Sequence, residues 1–70
     1  MSNEYKEYLL DKVQELVLDY GAMDTIDEIK PTYCLERKYV YGQKNGQKVV
    51  VLVYLDDNTG DWVIEHRSAI

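Results

Sequence analysis

Cys34 and His66 are the only cysteine and the only histidine in this chain of 70 residues. A thiol beside an imidazole can act as a nucleophile with its base, provided the two lie within hydrogen-bond reach. The sheet that the sequence predicts puts them on opposite edge strands, two spacings of about 4.8 Å apart and facing opposite ways. They read instead as a half-buried cysteine and a histidine near the sheet end. One of each also excludes an internal disulfide and a Cys/His zinc site.

The run Asp56-Asp57-Asn58-Thr59-Gly60-Asp61 is acidic enough to suggest calcium. An EF-hand loop needs oxygen ligands at positions 1, 3 and 5 and glycine at 6. Counting from Asp56 puts glycine at the fifth place, and counting from Asp57 puts Trp62 at the sixth. The run therefore reads as a turn. Gly42 and Gly46 lack the lysine-serine pair and the helix of a phosphate loop. Seven tyrosines could stack on nucleic-acid bases, but no basic groove accompanies them, so they are assigned to packing. No catalytic residue, metal ligand or cofactor is expected, and the chain is not expected to be an enzyme.

The remaining chemistry is charge. The net charge is −5, and residues 1–30 carry all of it, with eight acids against Lys6, Lys12 and Lys30. Residues 31–70 balance five acids with five bases. An acidic chain of this kind is not expected to bind nucleic acid directly, which takes a basic face. Placed at 100° steps, Glu4, Glu7, Asp11, Glu15 and Asp19 form one stripe of a helix, with Tyr8 and Leu18 among them. Acids at i,i+4 repel by a few tenths of a kcal/mol per pair, and Asp19 opposes the helix dipole. The stripe is thus not the arrangement that best stabilises the helix. A solvated face is the plain interpretation; a partner-binding face with Tyr8 and Leu18 as apolar anchors is the functional one.

Ser2 or Asn3 caps this helix, which runs to about Tyr20 with Gly21 as its left-handed stop. Its core stripe is Tyr5, Leu9, Val13, Leu16, Val17 and Tyr20. Two readings suit residues 22–31: a short second helix capped by Asp24 and ended by Pro31, or a loop pinned by Ile26 and Ile29. Thr32 to Tyr41 alternates as a strand, and Asn45-Gly46 marks a hairpin. Val49 to Leu55 is an apolar, β-branched run, the central strand, with Asp61 to Arg67 hairpinned beside it at the edge.

The fold expected is α+β, α-β-β-β: the helix, with or without the short second one, on a three-stranded antiparallel meander. Residues 1–70 form one domain, small enough to bury only about 60% of its unfolded surface. Pairing is sensitive to loop length, because a one-residue slip turns a strand over. A two-residue type I′ turn at Asn45-Gly46 sets Tyr41 opposite Val50; the three-residue loop Lys44-Asn45-Gly46, the register expected, sets Tyr41 opposite Val49 and keeps Tyr33, Leu35, Tyr39 and Tyr41 beneath the helix with Trp62. A four-residue second loop sets Leu55 opposite Trp62. Val40, Val50, Leu52, Tyr54 and Val63 then form an outer apolar patch, from which a homodimer through the sheet is expected.

The N-terminus is charged without an apolar h-region, no run approaches the roughly 18 residues of a membrane span, and a lone thiol suits a reducing compartment. A cytoplasmic protein with no membrane partner is expected. Its function is read as binding another protein, as an inhibitor or accessory of mobile-element type. The alternative is a nucleic-acid mimic whose acidic helix, with carboxylates about 6 Å apart, occupies the basic groove of a nucleic-acid-handling enzyme.

Overall fold

The computed structural model describes residues 3–67. It is an α+β arrangement: α1 (Asn3–Tyr20), then β1 (Thr25–Pro31), β2 (Arg37–Lys44), β3 (Gln47–Leu55) and β4 (Trp62–Arg67). The strands form one antiparallel sheet in the order β1-β2-β3-β4, with one face covered by α1. Ser2, one of the two expected caps, lies outside the described residues.

The helix ends as its sequence dictates. Gly21 has φ +79°, a conformation that costs glycine nothing. The Gly21 N–H donates to the Leu18 carbonyl and the Ala22 N–H to the Val17 carbonyl, both at 3.1 Å. This is the Schellman pairing, and Val17 and Ala22 are both buried beside it. No base lies in the last turn of α1; Lys44 supplies one from the β2–β3 hairpin, its Nζ donating to the Gly21 carbonyl. The Asp24 N–H donates to the Gln43 carbonyl at 2.8 Å, and the Asn45 N–H to Asp24 Oδ2 at 3.0 Å. These bonds strap the hairpin tip to the end of the helix.

The sheet has four strands, not three, because residues 25–31 are neither a second helix nor a loop. Ile26 pairs with Gly42 and Ile29 with Val40, with a register shift between Ile26 and Glu28. Asp27 is the extra residue of a β-bulge, which lets Ile26 and Ile29 share the helix-facing side although they stand three apart. The bulge thus gives a strand the spacing of a helix turn. Pro31 is tolerated at the end of an edge strand.

The first hairpin differs from the expected register. Lys44 pairs with Gln47 and Tyr41 with Val50, so the loop is the two residues Asn45 and Gly46, at φ +53° and +79°, as a type I′ turn requires. This turns β2 over. Val40 and Lys38 face the helix, whereas Tyr39 and Tyr41 lie on the outer face. Tyr33 and Leu35 are outside any strand, and Tyr33 is fully exposed. Large phenols that would need buried hydrogen-bond partners are left near water, and the slimmer Val40 sits under the helix.

The second hairpin has the expected pairing, Leu55 with Trp62 and Val53 with Ile64. Val49, Val51, Val53 and Leu55 accordingly line the helix side. The core is Leu9, Val13, Val17, Ala22, Met23, Val40, Val51 and Val53, flanked by Ile26, Ile29, Val49, Trp62 and Ile64. Tyr5 and Tyr20, both expected in the core stripe, are 38% and 69% exposed. Trp62, paired with Leu55 at the far end of β3, is only half-buried.

Candidate functional site

The outward side of α1 carries the acids. Glu4, Glu7, Asp11, Glu15 and Asp19 are all exposed, and so are Tyr8 at 56% and Leu18 at 47%. Among the described residues, Glu7, Asp11, Glu15 and Asp19 have no cation within ion-pairing distance. Tyr8 is held from one side: its ring lies 6.4 Å from that of Tyr5, at 21° between planes. Tyr5 is in turn fixed by its hydroxyl, which donates to Glu36 Oε2 at 2.7 Å. That bond to a carboxylate, then desolvation, raises the Tyr5 phenol above its ordinary value. An aromatic and a leucine thus stand among the carboxylates of Glu7, Asp11, Glu15 and Asp19, on an element seated on the sheet through Leu9, Val13 and Val17.

The opposite surface is the outer face of the sheet, and its register arranges it in rows. One row across the four strands is Glu28, Tyr41, Val50, Arg67; the next is Lys30, Tyr39, Leu52, Glu65. Arg37, Tyr54 and Val63 form a third. Val50, Leu52, Tyr54 and Val63 lie here as expected, but Val40 does not: it is fully buried under the helix. Tyr39 and Tyr41 take its place, 36% and 37% exposed, whereas Val50 and Leu52 retain only 5% each. Lys30 Nζ sits 5.1 Å from the centre of the Tyr41 ring, and the Arg37 guanidinium 5.2 Å from that of Tyr54. The Tyr54 hydroxyl donates to Glu65 Oε2 at 2.8 Å, which raises the Tyr54 phenol above its ordinary value, with desolvation adding to the shift. Glu65 also pairs with Arg67 at 3.0 Å.

The residues first singled out for chemistry are kept apart. Cys34 lies in the β1–β2 loop, its Sγ 3.8 Å from Glu36 Oε1, and the Glu36 carbonyl accepts from the Leu55 N–H. His66 pairs with Val51, four residues along β3 from Leu55, a run of about 13 Å. The acidic run spends its polar atoms on its own turn. Asp56 Oδ1 accepts from the Asn58 N–H at 2.8 Å, the Asp56 carbonyl accepts from the Gly60 N–H at 2.7 Å, and Gly60 has φ +76°.

Lys38 was missed by sequence reasoning. It is only 6% exposed on the helix side of β2, beside Lys6, Leu10 and Leu35 in a groove of about 370 Å³. Its aliphatic stem provides that burial, and a lysine set in strand alternation gives no sign of it. No helix among the described residues is long and apolar enough to cross a membrane. No family model, curated protein or solved structure matches the chain.

Proposed function

We propose that this chain is a non-catalytic cytoplasmic module that acts by binding another protein, as an inhibitor or accessory factor, through the outward face of α1. The observation that carries this reading is the exposure of Tyr8 and Leu18 among Glu7, Asp11, Glu15 and Asp19, none of those acids having an ion partner among the described residues. Apolar anchors inside a charged rim are the anatomy of an interface. The partner is a protein with an apolar pocket bordered by lysine or arginine. The unpaired Cys34 suits a reducing compartment.

The test is purification of the tagged chain from its native cell, beside a Glu7→Lys/Asp11→Lys variant and a Tyr8→Ala/Leu18→Ala variant. A protein recovered with the wild type and lost with both variants, all three equally folded by circular dichroism, supports the reading. Equal recovery with all three returns the face to ordinary solvated surface.

A second reading is favoured by the same unpaired carboxylates, which recur along the helix at about 6 Å: mimicry of a nucleic-acid strand. Binding would then weaken steeply with salt and compete with DNA or RNA. Docking led by Tyr8 and Leu18 shows neither behaviour.

A further inference from the structure

We propose that the outer face of the sheet binds a second copy of the chain, the two sheets stacked about a two-fold axis parallel to the strands. The face is complementary to itself. Such an axis lays β1 over the partner's β4 and β2 over the partner's β3 while leaving each row in place. In the row Glu28-Tyr41-Val50-Arg67, Glu28 then meets the partner's Arg67, and Tyr41 covers the partner's Val50. In the row Lys30-Tyr39-Leu52-Glu65, Lys30 meets the partner's Glu65, and Tyr39 covers the partner's Leu52. In the third row Arg37 comes over the partner's Tyr54, the contact it already makes with its own.

Every charge in the first two rows faces its opposite, and the apolar contact between them is made by the partly exposed Tyr39 and Tyr41 rings, since Val50 and Leu52 keep only 5% each. The observed register is what creates this match. With β2 turned over, Val40 and Lys38 would take the places of Tyr41 and Tyr39. Single-stranded nucleic acid is the competing occupant for exposed tyrosines, but Glu28 and Glu65 stand in the same rows as the cations and disfavour phosphate.

The face is four strands wide and about seven residues long, on the order of 400 Å² in mean plane per protomer. That is below the standard size of about 800 Å² per partner, so the contact is a weak, reversible one. Sheets stacked in this way tolerate the roughly 30° offset of aligned packing, because Lys30, Glu65, Glu28 and Arg67 are long at the edges. The two α1 helices end up on opposite outer sides, which presents the acidic face twice.

The experiment is sedimentation equilibrium of the full chain at concentrations around its dissociation constant, with charge reversals of exposed rim residues. Wild type is expected to reach twice the 8.2 kDa chain mass. K30E alone, or E65K alone, places like charges together at two symmetric contacts and should weaken the dimer about a hundredfold. Mixing the K30E chain with the E65K chain should restore a dimer, since both cross-pairs are then opposite in sign. Restoration only in the mixture identifies this face and this axis. A wild type of single-chain mass overturns the proposal, as does a dimer indifferent to both reversals. So does a monomer that binds a single-stranded oligonucleotide through Tyr39 and Tyr41.

Discussion

Replacing Gly42 by alanine tests how β1 is held to the sheet. An added Cβ would lie 2.1 Å from the Thr25 carbonyl oxygen and 2.4 Å from Met23 Sδ. Both are far inside contact distance, and they differ in how they can respond. The Met23 thioether is flexible but fully buried. The Thr25 carbonyl belongs to the backbone of β1 at its first paired residues, Thr25 with Gln43 and Ile26 with Gly42. Relief therefore requires the start of β1 to lift away or Met23 to leave the core. Overpacking costs about 1–3 kcal/mol, and the backbone clash puts Gly42→Ala at the upper end. A domain of this size has on the order of 4–10 kcal/mol in total. The expected loss is about 3 kcal/mol, or a fall in Tm on the order of 15 °C. Urea denaturation of both proteins measures it. Gly46→Ala is the control: nothing lies within 4 Å of its Cβ, but its φ is +79°. It should cost about 1–2 kcal/mol from the left-handed backbone alone and leave Met23 undisturbed. If Gly42→Ala stays within 0.5 kcal/mol of wild type, roughly the range of an inconsequential substitution, the close approach of β1 to β2 is refuted.

Two further outcomes are expected. Lys44→Met keeps the side-chain length but removes the cation donating to the Gly21 carbonyl. It should lower stability by about 0.3–1 kcal/mol at low salt, a difference that shrinks as salt rises if the cause is electrostatic. The phenols of Tyr5 and Tyr54 are both raised above the ordinary value of 10.0, first by hydrogen bonds to Glu36 and Glu65. A raised phenol favours the neutral form in the folded state. These bonds therefore contribute stability below pH 10 that is lost as pH climbs through the higher folded values. In phenolate absorbance titrations, the component removed by Tyr54→Phe should centre above pH 10; a component centred below it would refute the bond to Glu65.

The helix was legible because its determinants are local. Acids and apolar residues separate at 100° per residue, and Gly21 follows the last apolar turn. The second hairpin was legible too, since its pairing keeps Val53 opposite Ile64 under the helix. β1 was not, because its bulge hides the period of two on which strand recognition depends. Ile26 and Ile29 carry the spacing of a helical face, and Pro31 after them looks like a helix terminator. Only pairing with β2, a non-local fact, decides between these.

The two candidate faces differ in legibility for the same reason. The acidic side of α1 needs only the helical period, so the exposure of Tyr8 and Leu18 was readable from spacing. The outer sheet face hangs on whether the first loop has two residues or three, and that choice alone exchanges Val40 for Tyr39 and Tyr41. The charge follows the same division. A net charge of −5 places its excess on residues 1–30 in sequence, whereas folding sorts the charges by face. Five acids line the outer side of α1, whereas on the outer sheet face Lys30, Arg37, Lys48 and Arg67 stand with Asp27, Glu28 and Glu65. At an ionic strength where charges beyond about 10 Å are screened from one another, a partner meets one face or the other and never the net charge. The two surfaces should therefore choose different occupants.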